Sequence, residues 1–117
     1  MSISVLIITG PVGVGKTTVA LEIGSIGSLL EQAGIPHAVV DLDSLAWLYP
    51  APADDQFNNH LAFRNLAAVW DNYAKTGIQR LVIARVIESR DELAWYHEAI
   101  PDAEITIVRL RASEATL

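Results

Sequence analysis

"ISVLIITGPVGVGKTTVA", residues 3–20, runs from an unbroken apolar stretch directly into three glycines, a lysine and two threonines. Ile3 to Thr9 is rich in β-branched residues and ends at a glycine, the pattern of a strand buried on both faces. Beyond it, Val19, Ala20, Ile23, Ile26 and Leu30 recur at helical spacing, with Glu22, Glu31 and Gln32 off that stripe. Gly34 and Pro36 then supply a helix stop. The glycines and the lysine therefore stand between a predicted strand and a predicted helix, and their chemistry has to suit that junction.

Phosphate oxygens suit it. They are best met by several backbone N–H groups at once, and side chains would block that approach. Gly10-x-x-x-x-Gly15-Lys16-Thr17 satisfies the Walker A pattern in the strand-to-helix context the pattern requires. From this chain's own residue frequencies, a chance match is on the order of one in a thousand. Lys16 is one of only two lysines, the other being Lys75. The expected nucleotide contacts are Gly10, Pro11, Val12, Gly13, Val14, Gly15, Lys16, Thr17 and Thr18. Lys16 is expected to reach the β- and γ-phosphates, Thr17 to ligate Mg²⁺ through its hydroxyl, and Thr18 to donate to the α-phosphate. One competing reading is a plain connecting turn. Another is a dinucleotide-binding turn, but the glycines run G-x-x-G-x-G, and that design has no lysine at the helix start.

The rest of the chain alternates strand and helix. His37 to Leu42 (HAVVDL) reads as a second buried strand. Asp43 to Gln56, with Pro50 and Pro52, reads as a loop holding at most one helical turn. Phe57 to Thr76 carries Leu61, Leu66, Val69, Trp70 and Tyr73 on one stripe and closes at Gly77, so it reads as a helix with Asp54-Asp55 as its cap. Arg80 to Ile87 reads as a third strand, Asp91 to Ala99 as a helix, and Glu104 to Leu110 as a fourth strand. Gly24 and Gly27 weaken the first helix by about 1 kcal/mol each relative to alanine, and are expected to let it lie close to the sheet. Strands alternating with helices imply right-handed crossovers and a parallel sheet covered on both faces.

In such a sheet, ligands bind at the carboxyl edge of the strands. Asp41 and Asp43 in VVDLDS lie at and just past that edge of the second strand. Residues i and i+2 on extended backbone point the same way, so both carboxylates are expected to face one site. Asp41 would hold a water of the Mg²⁺ shell, and Asp43 would accept a proton from an attacking hydroxyl or orient it. The competing reading is that they end the strand and cap the next turn. Arg85, in the third strand, either holds an acceptor anion bidentately or lays its stem along the sheet with its head in water. His37, His60 and His97 show no ligand spacing. Trp47, Trp70, Trp95 and Tyr96 read as packing residues, with Trp47 and Tyr49 also placed to wall an acceptor pocket.

GPVGVGKTT, then VVDLDS after one helix, then a long helix before RLVIARVIES, resembles the P-loop small-molecule kinases. The closest likeness is to the adenylylsulfate kinase-like group, itself similar to the gluconate and shikimate kinases. That group carries a paired-aspartate motif after the second strand and a substrate arginine in the next helix. The resemblance implies that Asp41 and Asp43 match the pair and Arg64 matches the arginine. Here the pair reads Asp41-Leu42-Asp43-Ser44, where adenylylsulfate kinases usually show Asp-Gly-Asp-Asn. The group's arginine-rich lid, base-contacting loop and last strand would fall beyond Leu117, so turnover by this chain alone is expected to be low.

Composition narrows the partners. At 117 residues, 51% of them hydrophobic and 19% charged, the chain has material for one core and is too apolar for disorder. A formal charge of −6 repels polyphosphate, which argues against nucleic acid and anionic membranes as partners. There is no cysteine, hence no disulfide and no thiolate chemistry. Neither a signal peptide nor a membrane span is readable, so the expected location is the cytoplasm. Ser113 looks like the N-cap of a further helix, so residues 1–117 are expected to be a single kinase-like domain cut short on its C-terminal side. The expected architecture is a three-layer α/β P-loop NTPase fold, its parallel sheet ordered 2-3-1-4 with helices on both faces. The expected activity is ATP- and Mg²⁺-dependent phosphotransfer to a small hydroxyl-bearing acceptor. A nucleotide-binding module without catalysis of its own, and an ATP hydrolase, stand as alternatives.

Overall fold

A computed structural model describes residues 2–10, 15–85 and 90–109, with the backbone alone for 15–22. Its elements in chain order are β1 (Ile3–Thr9), α1 (Gly15–Gln32), β2 (Ala38–Asp41), a 3₁₀ turn (Leu42–Ala46), α2 (Asn59–Ala74), β3 (Arg80–Ala84), α3 (Asp91–Ala99) and β4 (Ala103–Arg109). The four strands form one sheet ordered β2-β3-β1-β4, with every pairing parallel. The expected order is the observed one.

Side-chain alternation along the strands sorts the core into two layers. Val5 and Ile7 of β1, Ala38 and Val40 of β2, and Leu81 and Ile83 of β3 face one side. There they pack with Ala62, Phe63, Leu66 and Trp70 of α2, Tyr96 of α3 and Ile100 just past it. Ile8, Val82 and Ala84 face the other side, against Ile23 of α1, with Leu6, Ile26 and Leu30 around them. α1 thus covers one face and α2 and α3 the other. By the same parity Thr9, the last residue of β1, and Arg85, just past β3, belong to the α2/α3 side. β2 and β4 flank the sheet among the described residues, and β4 is the more open, with Ile107 and Val108 both exposed.

Element boundaries moved for local reasons. α2 begins at Asn59 instead of Phe57, because Asn58 takes a left-handed conformation (φ 56°) that cannot continue a helix. Asp55 caps it as expected: its carboxylate accepts from the N–H groups of His60 at 3.1 Å and Leu61 at 3.0 Å. Those bonds outweigh desolvation and hold its pKa below the ordinary carboxylate value. Gly34 (φ 69°) and Gly77 (φ 91°) follow α1 and α2 in the left-handed geometry that favours glycine at helix ends. β2 spans Ala38–Asp41 and gives way at once to the 3₁₀ turn, inside the segment read as a loop. β3 ends at Ala84 rather than Ile87, though the Arg85 N–H still donates to the Ile8 carbonyl at 3.1 Å. Residues 86–89 and the stretch from Leu110, with Ser113, lie outside the described residues.

The expectation for Gly24 and Gly27 is corrected. A Cβ on Gly24 would meet nothing within 4 Å, and one on Gly27 would touch Val39 Cγ2 at an ordinary 3.5 Å. α1 does not need glycine there to approach the sheet. Trp70 and Tyr96 are core residues and Trp95 packs at its margin, whereas Trp47 and Tyr49 stand almost wholly in solvent.

Candidate functional site

The strand register brings the chemistry-bearing residues to one edge. Ile8 of β1 and Asp41 of β2 both stand opposite Ala84 of β3, so the three strands finish in one row. Just past that row come Gly10 on β1, Arg85 on β3, and Leu42 and Asp43 on the β2 side. Gly10 is buried where the chain leaves the central part of the sheet. α1 starts at Gly15, which puts Lys16, Thr17 and Thr18 in its first turn. The backbone N–H groups of a first turn have no intrahelical partner and carry a partial positive charge. Pro11, Val12, Gly13 and Val14, and the side chains of Lys16, Thr17 and Thr18, lie outside the described residues.

Arg85 is the hub of the side-chain cluster at this edge. Its guanidinium donates from Nε to Glu92 Oε1 at 2.9 Å, from one terminal nitrogen to Asp43 Oδ1 at 3.1 Å, and from the other to Asn59 Oδ1 at 3.0 Å. That second terminal nitrogen also lies 2.8 Å from Glu92 Oε1. The cation sits 5.6 Å above the ring centroid of Phe63, within cation–π range. Side-chain exposure is 10% for Arg85 and 5% for Glu92. Burial disfavours the charged guanidinium, but Glu92 and the other negative groups around it more than offset that, so its pKa lies above the ordinary arginine value. Of the two readings open for Arg85, the solvated head is excluded. The head is inside, and each of its three nitrogens already has a partner.

The aspartate pair is arranged differently from the expectation. The chain leaves extended geometry after Asp41, so the two carboxylates do not share an i, i+2 strand face. Asp41 caps the 3₁₀ turn, its Oδ1 accepting from the Asp43 N–H at 3.2 Å. Asp43, carried on that turn, reaches Arg85 instead, with its side chain 41% exposed. The turn itself is held by asparagines that sequence reading passed over. Asn58 donates to the carbonyls of Ala46 (2.9 Å) and Leu48 (3.0 Å), and Asn65 donates to that of Leu45 at 2.7 Å. Asn58, Asn59 and Asn65 thus link α2 to the turn and to Arg85. An Asn-Asn pair at a helix start, where amides compete with the backbone for hydrogen bonds, was the available signal.

Arg64 is not brought to this cluster. It is exposed on α2 and lines a separate groove of roughly 450 Å³ between α2 and α3, together with His60, Phe63, Trp95 and Glu98. Tyr96, fully buried beneath Phe63, has a hydroxyl without a hydrogen-bond partner among the described residues, and burial pushes its pKa above the ordinary tyrosine value. Among the described residues, no group of three His, Cys, Asp or Glu side chains is gathered to hold a metal, and no helix is long and apolar enough to cross a membrane.

Among solved structures, the chain is similar to a cysteine-to-alanine mutant of the Mycobacterium tuberculosis APS kinase CysC. The likeness covers 95% of this chain and 77% of that one, at 24% identity and a TM-score of 0.58. The chain has an adenylylsulfate kinase-like P-loop fold. No protein-family model matches the sequence, and no curated protein matches it. In this fold Gly10 follows β1 and the turn carrying Asp43 follows β2 at the same edge of the sheet, with Arg85, just past β3, between them.

Proposed function

We propose that the chain is an ATP- and Mg²⁺-dependent phosphotransferase acting on a small hydroxyl-bearing molecule. What supports this reading is that Gly10, just past β1, and Asp43, a partly exposed carboxylate on the turn after β2, stand at the same carboxyl edge of the sheet. The donor chemistry fits the implied groups. A helix first turn with free N–H groups suits a phosphate tail, and the hydroxyl of Thr17 and the carboxylate of Asp41 are hard oxygen donors suited to Mg²⁺. A metal held largely by phosphates and water needs no three-residue protein cage, consistent with the absence of one among the described residues.

ATP, when bound, supplies the phosphoryl group, with Mg²⁺ balancing its charge. The chain's own residues do the positioning. Lys16 holds the β- and γ-phosphates as a point charge, Thr18 donates to the α-phosphate, and Asp43 orients the acceptor hydroxyl and accepts its proton as the new bond to phosphorus forms. Arg85, fixed by Glu92 and Asn59, supports keeping Asp43 Oδ1 in place while the carboxylate stays partly exposed.

A nucleotide-binding module without transfer activity is the second reading. It is favoured by the two carboxylates already having intramolecular partners, Asp41 the Asp43 N–H and Asp43 the Arg85 guanidinium. ADP release measured with and without a panel of hydroxyl compounds separates the possibilities. Acceptor-stimulated release is expected. Tight ATP binding with no stimulation favours the module, and fast acceptor-independent release favours a hydrolase.

A further inference from the structure

We propose that the acceptor is uncharged or cationic around its reacting hydroxyl, and that Arg85 is a positioning residue for Asp43 rather than an acceptor ligand. This rests on the phosphotransferase reading. An arginine at the edge of a P-loop sheet invites assignment as an anion clamp, because its fork matches a carboxylate, sulfate or phosphate bidentately. Here each of the three guanidinium nitrogens already has a partner. Nε and one terminal nitrogen converge on Glu92 Oε1, the same terminal nitrogen also meets Asn59, and the other meets Asp43. For an anion to take Arg85 bidentately, it would have to displace Asp43, the very carboxylate the transfer needs, or Glu92, whose side chain is 5% exposed.

The charge balance at this edge points the same way. One guanidinium stands against two carboxylates in direct contact with it, and exposed Asp41 adds a third close by in the chain. Arg90 and Asp91, both exposed at the start of α3, are opposite charges side by side and leave the balance unchanged. Arg64 faces the other groove. Lys16 is assigned to the nucleotide. An incoming anion therefore meets net negative charge, with exposed Arg90 offset by Asp91 next to it in the chain, whereas a neutral polyol or an amino-alcohol meets a carboxylate it can donate to.

The test uses matched acceptor sets: glucose, glucosamine and glucuronate, and glycerol, serinol and glycerate. ADP release is followed at saturating MgATP, with ATP binding measured in parallel. The neutral or amine member of a set is expected to give kcat/KM at least tenfold above its carboxylate partner. Glu92→Gln, which removes one of the two carboxylates neutralising Arg85, is expected to narrow that ratio at least threefold. A carboxylate acceptor used as well as or better than its neutral partner overturns the inference while leaving the phosphotransferase reading intact. An unchanged ratio in Glu92→Gln overturns the charge argument in the same way. ATP binding without stimulation by any member overturns the phosphotransferase reading, and this inference with it.

Discussion

Replacing Glu92 with leucine isolates the interaction on which the acceptor side is built. Glu92 is 4% exposed, and both of its contacts to Arg85 converge on one carboxylate oxygen, at 2.8 and 2.9 Å. Removing one partner of a buried ion pair leaves an uncompensated charge, a change that typically costs about 3–5 kcal/mol. Arg85 would keep Asp43, whose half-open carboxylate is screened by water, and the neutral amide of Asn59. That places the expected loss at the lower end, about 3 kcal/mol. Urea unfolding reads it directly. With a slope of about 2 kcal/mol per molar for a domain of this size, the midpoint should fall by about 1.5 M at unchanged slope.

The mechanism makes a second, sharper claim. If the loss comes from stranding the Arg85 cation, removing the cation should recover part of it. Glu92→Leu combined with Arg85→Met is expected to be at least ~2 kcal/mol more stable than the sum of the two single changes allows. Strict additivity, or a Glu92→Leu protein within ~0.5 kcal/mol of the parent, refutes the reasoning, because the pair would then be an incidental contact.

Four further changes probe other parts of the molecule. Lys16→Ala should remove most ATP affinity while leaving the unfolding midpoint in place; calorimetric binding unchanged from the parent would contradict the phosphate-loop assignment. Asp43→Asn should slow phosphoryl transfer with little change in ATP affinity, and a binding defect as large as that of Lys16→Ala would contradict its role. Tyr96→Phe should leave stability unchanged or raise it by up to ~1 kcal/mol, since the hydroxyl it removes is buried without a partner. The raised Tyr96 pKa adds a pH signature: its stabilising share is complete below the unfolded tyrosine pKa of about 10 and is lost as pH rises above it. Tyr96→Phe should therefore flatten the alkaline limb of the stability profile, and an equally steep limb would contradict the burial argument. Gly24→Ala should raise stability by about 1 kcal/mol in thermal or urea unfolding, as a Cβ there meets only open space.

The sheet was legible because parallel strands buried on both faces are written as continuous apolar runs. Ile3–Thr9, Ala38–Asp41 and Arg80–Ala84 are such runs, and the helices between them left few ways to order four parallel strands. The position of Asp43 was legible only as a place along the chain. Its direction was not, because it depends on the backbone abandoning the strand at Leu42, and that turn is stabilised by Asn58 and Asn65, more than ten residues further on. Glu92 was hidden for a different reason. An acidic residue in the first turn of a helix is accounted for by the helix dipole alone, so nothing local marks it as the buried partner of an arginine on another element. Arg85 was marked as unusual by its place in an apolar stretch. Its partners came from three elements that only the fold brings together.

That arrangement bears on how the site would work. Arg85 joins the β2 turn, the start of α2 and the first turn of α3, so the three segments around the acceptor side share one buried cation. Asp43 is the most exposed of its carboxylate partners and is bonded through a single oxygen, whereas Glu92 is enclosed. If one contact gives way when an acceptor arrives, it is the Asp43 bond, because breaking it returns a carboxylate to water while Arg85 stays neutralised by Glu92. On the proposed reading, that single bond is what positions Asp43 beside the acceptor. A site built to grip an anion would need the reverse, with the arginine loosely held and the carboxylate elsewhere.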